Sequence, residues 1–296
     1  MDEIKNIVAL ITPFSEDGSI DYSGFKSHLN FLKNSKPDGL FVNSTTGEFT
    51  SLSLKEKLDV ASFVLENAKG VPVYMNVNST VFSETVELCK FAKENHFYAI
   101  VSPPPYFLVP SNNGIIEYFK EISELSQLPT FIYNIPQATG YSIPVEVVKT
   151  IVKEAPLVKG IKVTYDNMNY YLRLVNEVKN FRKDFMIFTG SEQLYVPLLL
   201  TGGNGGVMAL GNIALNLFNE AKDAFKSKNF DKLSLLHKKI SRLTYIYSLS
   251  SSFGYAIKIS LGYMGIPVKP YVRKPLLSDP FDEEAFKMIL KEVGLI

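Results

Sequence analysis

The sequence predicts an α/β protein built as a (β/α)8 barrel, the TIM-barrel class, with a C-terminal helical extension. Three observations predict it: eight short apolar runs, an amphipathic stretch after each, and helix-only patterning beyond residue 226. Runs that are apolar throughout, rather than alternating, suit parallel strands covered on both faces. The runs start roughly every 20 to 33 residues, the span of one strand–helix unit. A doubly wound open sheet would also alternate, but eight units without a dinucleotide fingerprint favour closure.

In chain order the strand runs are Ile7–Thr12, Gly39–Asn43, Val71–Asn76, Tyr98–Val101, Thr130–Tyr133, Leu157–Val163, Phe185–Phe188 and Gly205–Ala209. The helical patterns between them are Tyr22–Lys33, Leu54–Ala68, Ser83–Glu94, Ile115–Glu124, Pro144–Lys153, Asn167–Val178, Ser191–Leu200 and Ala214–Lys226. Ser53 followed by Glu56 has the spacing of a capping box, and Pro144 suits a first helical turn. After these come three helical patterns, Asp231–Ser248, Phe253–Tyr263 and Asp282–Val293. The expected division is a barrel over 1–226 and a helical appendage over 227–296 packed on it.

A chain of 296 residues, 46% hydrophobic, can bury a large core, enough for one barrel of about 250 residues and an appendage. Lys plus Arg number 31 against 30 for Asp plus Glu, so no global field draws in nucleic acid or a membrane surface. A local site for a small acidic molecule stays open. The lone cysteine, Cys89, lies in a helical pattern and reads as a buried structural thiol. Met1-Asp2-Glu3 lacks the basic start of a signal peptide, and no apolar run approaches the roughly 18–20 residues of a membrane helix. A cytoplasmic protein is expected.

Reacting groups of such a barrel belong at the C-terminal ends of its strands. Lys162 is the most informative residue there, in Val158-Lys159-Gly160-Ile161-Lys162-Val163-Thr164. Desolvation favours a neutral amine, the form that attacks a carbonyl. A lysine pointing outward at a strand end, or ion-paired inside, fits the local sequence as well. Tyr133 ends the preceding run, and neighbouring strands lie about 4.8 Å apart, so side chains at matching heights can meet. A phenol there could shuttle protons; it could also be a core aromatic.

Ser44-Thr45-Thr46-Gly47-Glu48 supplies adjacent hydroxyls and a tight turn, a neutral cradle for a carboxylate, although such loops are common at helix starts. Gly202-Gly203-Asn204-Gly205-Gly206 has neither dinucleotide nor Walker spacing and reads as turn chemistry. His28, His96 and His237 have no ligand spacing, so structural or surface roles and no metal are expected.

Taken together, the motifs resemble the dihydrodipicolinate synthase/N-acetylneuraminate lyase family of pyruvate-dependent class I aldolases. The likeness runs in order through Ile11-Thr12-Pro13-Phe14, Thr45-Thr46-Gly47-Glu48, Pro104-Pro105-Tyr106, Tyr133-Asn134-Ile135-Pro136, Thr139-Gly140, Gly160-Ile161-Lys162 and Gly190-Ser191-Glu192. The resemblance implies that Lys162 forms an imine with pyruvate and that Tyr133 is the general acid/base. It implies that Thr45 and Thr46 hold the pyruvate carboxylate, with Thr45 in a proton relay, and that the carbonyl of Val207 approaches the substrate. Gly47, Thr164, Ala138 and Ser191 complete the implied surroundings. The partners implied are a keto acid and an aldehyde, with no metal or organic cofactor, in a homotetramer built as a dimer of dimers.

Departures from the family pattern bear on the branch. Dihydrodipicolinate synthases carry an arginine two residues after the proline of Tyr-Asn-x-Pro, where this chain has Ala138, and a relay tyrosine at the position of Phe107. Sialic acid lyases have Tyr-Tyr-Ile-Pro and a Gly-Ser-Thr-Gly loop, which this chain lacks. Leu40-Phe41-Val42-Asn43, Ala138-Thr139-Gly140 and Ser248-Leu249-Ser250-Ser251 look most like archaeal 2-keto-3-deoxygluconate aldolases. That branch commonly has glycine in place of Ser44. It also has Tyr-Tyr-Pro-Arg near 107–110, and the missing arginine disfavours phosphorylated substrates, with Arg242 a candidate phosphate contact. The implied reaction is cleavage of 2-keto-3-deoxygluconate or a relative to pyruvate and an aldehyde such as glyceraldehyde. The alternatives are synthase-type condensation with aspartate semialdehyde, N-acetylneuraminate lyase-type cleavage, and a non-catalytic keto-acid-binding barrel.

Overall fold

Each of the eight apolar runs becomes a parallel strand. In the computed structural model, which describes residues 3–296, the strands are β1 (Lys5–Ala9), β2 (Gly39–Val42), β3 (Val73–Asn76), β4 (Ala99–Ser102), β5 (Thr130–Asn134), β6 (Val158–Val163), β7 (Met186–Thr189) and β8 (Gly205–Met208). They follow one another in sequence order around a closed barrel. The strands are buried almost throughout, as their unbroken apolar character requires.

Helices alternate with the strands: α1 (Tyr22–Asn34), α2 (Leu54–Asn67), α3 (Phe82–Glu94), α4 (Asn112–Ser126), a single turn α5 (Pro136–Thr139), α6 (Val145–Glu154), α7 (Met168–Arg173), α8 (Tyr195–Leu200) and α9 (Gly211–Lys226). Three more close the chain, α10 (Phe230–Leu243), α11 (Phe253–Tyr263) and α12 (Glu283–Val293). Among the described residues no helix is long and apolar enough to cross a membrane. The capping box forms as its spacing predicts: the Ser53 hydroxyl accepts from the Glu56 N–H, and Glu56 reaches back to the Ser53 N–H. Pro144 lies one residue outside the predicted turn, at the N-cap of α6. The pattern over Asn167–Val178 is two pieces, because α7 passes into a π-helical turn at Leu174–Lys179. Widening the turn there buries Lys179, which donates to Gly202 O at 2.7 Å and Asn204 Oδ1 at 2.9 Å.

Backbone contacts fall into two compact units, one holding Pro72–Gly206 with the chain up to Lys5, the other Asn6–Val71 and Val207–Ile296. In the first, β3 to β7 pair in order, and β5 pairs with β6, with a register shift between Thr130 and Phe131, so that Tyr133 stands opposite Lys162. In the second, β1 pairs with β2, and α10 packs against α9 and α12. His28 is buried there beside the Asn212 carbonyl at 3.3 Å, and burial pulls its imidazole down to about 4, so it is neutral near pH 7. Cys89 is buried inside α3, where loss of solvent pushes its thiol up to about 12. Both residues have the structural roles that their sequence settings predict.

Candidate active site

Lys162 and Tyr133 owe their meeting to strand register. Both point from adjacent strands at the same height, and the Lys162 Nζ lies 4.1 Å from the centre of the Tyr133 ring. Both are nearly closed to solvent, Lys162 5% and Tyr133 4% exposed. Thr164, one residue beyond β6, donates its hydroxyl to the Tyr133 oxygen at 3.4 Å, the long end of a hydrogen bond. A primary amine, a phenol and a hydroxyl thus share one buried corner. Such a trio can add to a carbonyl, move a proton and lose water.

The loop after β7 shapes the space for the lysine. A Cβ on Gly190 would stand 2.1 Å from Thr164 Oγ1 and 2.8 Å from Lys162 Cε, so only glycine fits beside the lysine stem. Its N–H donates to the Val163 carbonyl at 2.7 Å. The Tyr171 hydroxyl, on α7, donates to the same carbonyl at 2.8 Å and lies 3.0 Å from Thr189 Oγ1. Thr189 Oγ1 in turn accepts from the Ser191 N–H and donates to the Ser191 carbonyl. Burial holds the Tyr171 phenol far above its usual range, so it stays a neutral donor. Ser191 is therefore buried in a backbone clasp around the lysine strand. Tyr171 escaped the sequence reading, since an aromatic in a helical pattern looks like core.

Ala138 sits exposed on α5, a turn started by Pro136 and ended by Gly140 in the left-handed region. Phe107 is also exposed, 91%, with a backbone φ of 72°. Next to it Tyr106 is half-buried, and the Tyr141 hydroxyl donates to the Pro105 carbonyl at 2.7 Å. These residues and the Lys162 corner all belong to the first unit.

Thr45, Thr46, Gly47 and Val207 belong to the second unit. Val207 is buried within β8. The Thr45–Gly47 loop follows β2 and is tightly wound: the Gly47 N–H donates to the Ser44 carbonyl at 3.0 Å and to its hydroxyl at 3.1 Å. Thr12 Oγ1 donates to the Gly47 carbonyl at 2.8 Å. A Cβ at Gly47 would meet the Leu10 carbonyl oxygen at 2.8 Å, so the loop needs glycine for close approach. Thr46 is buried and Thr45 half-buried.

Arg242 is engaged on α10, its Nε 2.6 Å from Glu292 and its guanidinium 5.5 Å from the Tyr245 ring centre. Among the described residues no group of three or more His, Cys, Asp or Glu is placed to hold a metal ion.

The model of the dihydrodipicolinate synthetase family matches residues 3–292. The chain belongs to that family. It is 38% identical over 283 residues to an uncharacterised DapA-like lyase of Pyrococcus furiosus, covering 96% of this chain and 94% of the relative. It is 29% identical over 288 residues to a putative 2-dehydro-3-deoxy-D-gluconate aldolase of Escherichia coli, YagE, covering 96% and 95%. The crystal structure of E. coli YagE in complex with pyruvate superposes with a TM-score of 0.93 at 28% identity, over 99% of each chain. The chain is thus an enzyme of the pyruvate-dependent class I aldolase type, a carbon–carbon lyase.

Proposed function

We propose that this family member reversibly cleaves a 2-keto-3-deoxy sugar acid, such as 2-keto-3-deoxygluconate, to pyruvate and an aldehyde such as glyceraldehyde. The observation that carries the chemistry is the buried amine of Lys162 standing over Tyr133. The name of the E. coli relative YagE, a putative 2-dehydro-3-deoxy-D-gluconate aldolase, supports the substrate class. So does the uncharged Ala138, at the position where the synthases carry the arginine that grips a second carboxylate.

In this reading the Lys162 amine adds to the C2 carbonyl of the keto acid. Tyr133 donates a proton to the departing hydroxyl, and water leaves to give a protonated imine. The imine then accepts the electron pair of the C3–C4 bond as that bond breaks, while Tyr133 takes the C4 hydroxyl proton and the aldehyde departs. Protonation of the enamine at C3 and addition of water release pyruvate and restore the lysine. Thr45 and Thr46 hold the keto acid carboxylate, with Thr45 assisting proton transfer. Gly47, Thr164, Ser191 and the Val207 carbonyl border the substrate.

Borohydride reduction in the presence of pyruvate tests the imine: the expected result is a mass gain on the peptide carrying Lys162. A folded protein with that peptide unmodified would sink the mechanism. Turnover of 2-keto-3-deoxygluconate, compared with condensation of pyruvate and aspartate semialdehyde, tests the substrate. Efficient condensation would replace the sugar acid reading with a synthase one.

A further inference from the structure

The second unit contains a charged network that the aldolase chemistry above does not use. Lys258 lies on α11 among Ala256, Ile257 and Ile259 and is wholly buried. Its Nζ donates to Glu48 Oε1 at 2.6 Å and to the Tyr271 carbonyl at 2.7 Å, and stands 4.4 Å from the Phe14 ring centre. The other Glu48 oxygen accepts from the Arg273 N–H at 3.1 Å. The Arg273 guanidinium covers the same Phe14 ring and grips both oxygens of Glu56. Glu48 is 5% exposed and takes a left-handed backbone, φ 57°, directly after Thr45-Thr46-Gly47.

A second contact ties the same helix to the same loop. Gly254 lies one turn before Lys258, on the same face of α11. A Cβ on it would come within 2.9 Å of the Thr46 carbonyl oxygen and 3.2 Å of Glu48 Oε1. The helix therefore presses its backbone on the threonine carbonyl and its ammonium on the next side chain. Charge burial on this scale is costly unless both ions are paired and hydrogen-bonded, as they are. Apolar residues of similar volume often fill such a space at no greater cost.

We infer that the Lys258–Glu48 ion pair, with Gly254 beside it, sets the conformation of the Thr45–Thr46 loop, making Lys258 a positioning residue for the keto acid carboxylate. The inference rests on the role proposed above for the two threonines. Lys258 touches no reacting atom. It fixes the backbone from which the threonine hydroxyls project, by holding the side chain at the loop's strained end.

Two readouts test it on the full chain. The variants are Lys258→Met combined with Glu48→Gln, which removes both charges without stranding either, and Gly254→Ala, which keeps both charges and crowds the loop. Hydrogen exchange at the amides of residues 45–48 is expected to quicken in each variant while the amides of α11 stay protected. Borohydride trapping is expected to need about tenfold more pyruvate for half-saturation, with the maximal rate within about twofold of the parent chain. Unchanged exchange at 45–48 in either folded variant overturns the inference, whatever the enzyme does with pyruvate. Faster exchange with unchanged half-saturation also overturns it, because the loop would then be held by Lys258 without serving the carboxylate. Failure of the parent chain to trap pyruvate at Lys162 would instead overturn the proposed function, and with it the positioning role.

Discussion

Lys162 and Lys258 are both drawn out of water, 5% and 0% exposed, yet their neighbours differ in kind. Lys162 stands over the face of Tyr133 at 4.1 Å, next to a glycine that leaves its stem room. Lys258 is bound to a carboxylate at 2.6 Å and a carbonyl at 2.7 Å. Removing one partner of a buried ion pair such as Lys258–Glu48 costs about 3–5 kcal/mol. The Lys162 amine faces a ring and the corner it shares with Thr164, whereas the Lys258 ammonium is engaged by a carboxylate and a carbonyl. Burial alone therefore does not mark a reactive lysine; the groups around the amine differ in kind between the two.

The sharpest way to break this contrast is Lys162→Met, a substitution of similar length. Turnover should fall by about 10^4-fold or more, with borohydride labelling lost and the folded far-ultraviolet spectrum kept. Retained labelling at any other lysine, Lys258 included, would erase the distinction. Tyr133→Phe comes next: loss of the phenol proton should slow turnover by about 10^2- to 10^4-fold, while slow trapping of pyruvate persists. Gly190→Ala should follow, since its methyl would overlap Thr164 and the Lys162 stem. Overpacking of this kind costs about 1–3 kcal/mol, to be read as a lowered melting temperature together with slower imine formation.

The smallest effect concerns acid stability in the held region. Hydrogen bonds from Arg273 lower the Glu56 carboxyl to about 2, from the usual 4.5. The folded form thus binds the proton less readily than the unfolded one. Its contribution to stability is complete above pH 4.5 and is lost as pH falls toward 2. Glu56→Gln should flatten that part of a melting-temperature profile and leave neutral pH little changed except for the lost pair. An unchanged acid slope would show that Arg273 and Glu56 are not coupled in solution.

Most of the barrel was legible in the sequence, because parallel strands covered on both faces must be apolar throughout and must recur at unit length. The Lys162–Tyr133 meeting was legible for a related reason: residues near the ends of adjacent strands come to one height, and Tyr133 stands opposite Lys162 even with a register shift between Thr130 and Phe131. The π-helical turn at Leu174–Lys179 was not, since its apolar spacing differs little from that of an α-helix over six residues. Lys258 left a signal that went unread: a lysine inside the apolar stretch Tyr255–Leu261 implies a buried charge and hence a partner. Its partner Glu48, 210 positions away, could not be read from spacing at all.

The contact between Gly190 and the Lys162 stem also limits how such a chain can change. A side chain at 190 would have to displace both the Thr164 hydroxyl and the end of the lysine stem. The two positions are coupled, so a change at 190 is felt at the lysine stem. Ala138, exposed on its short turn, is not among the nearest groups that a side chain at 190 would meet.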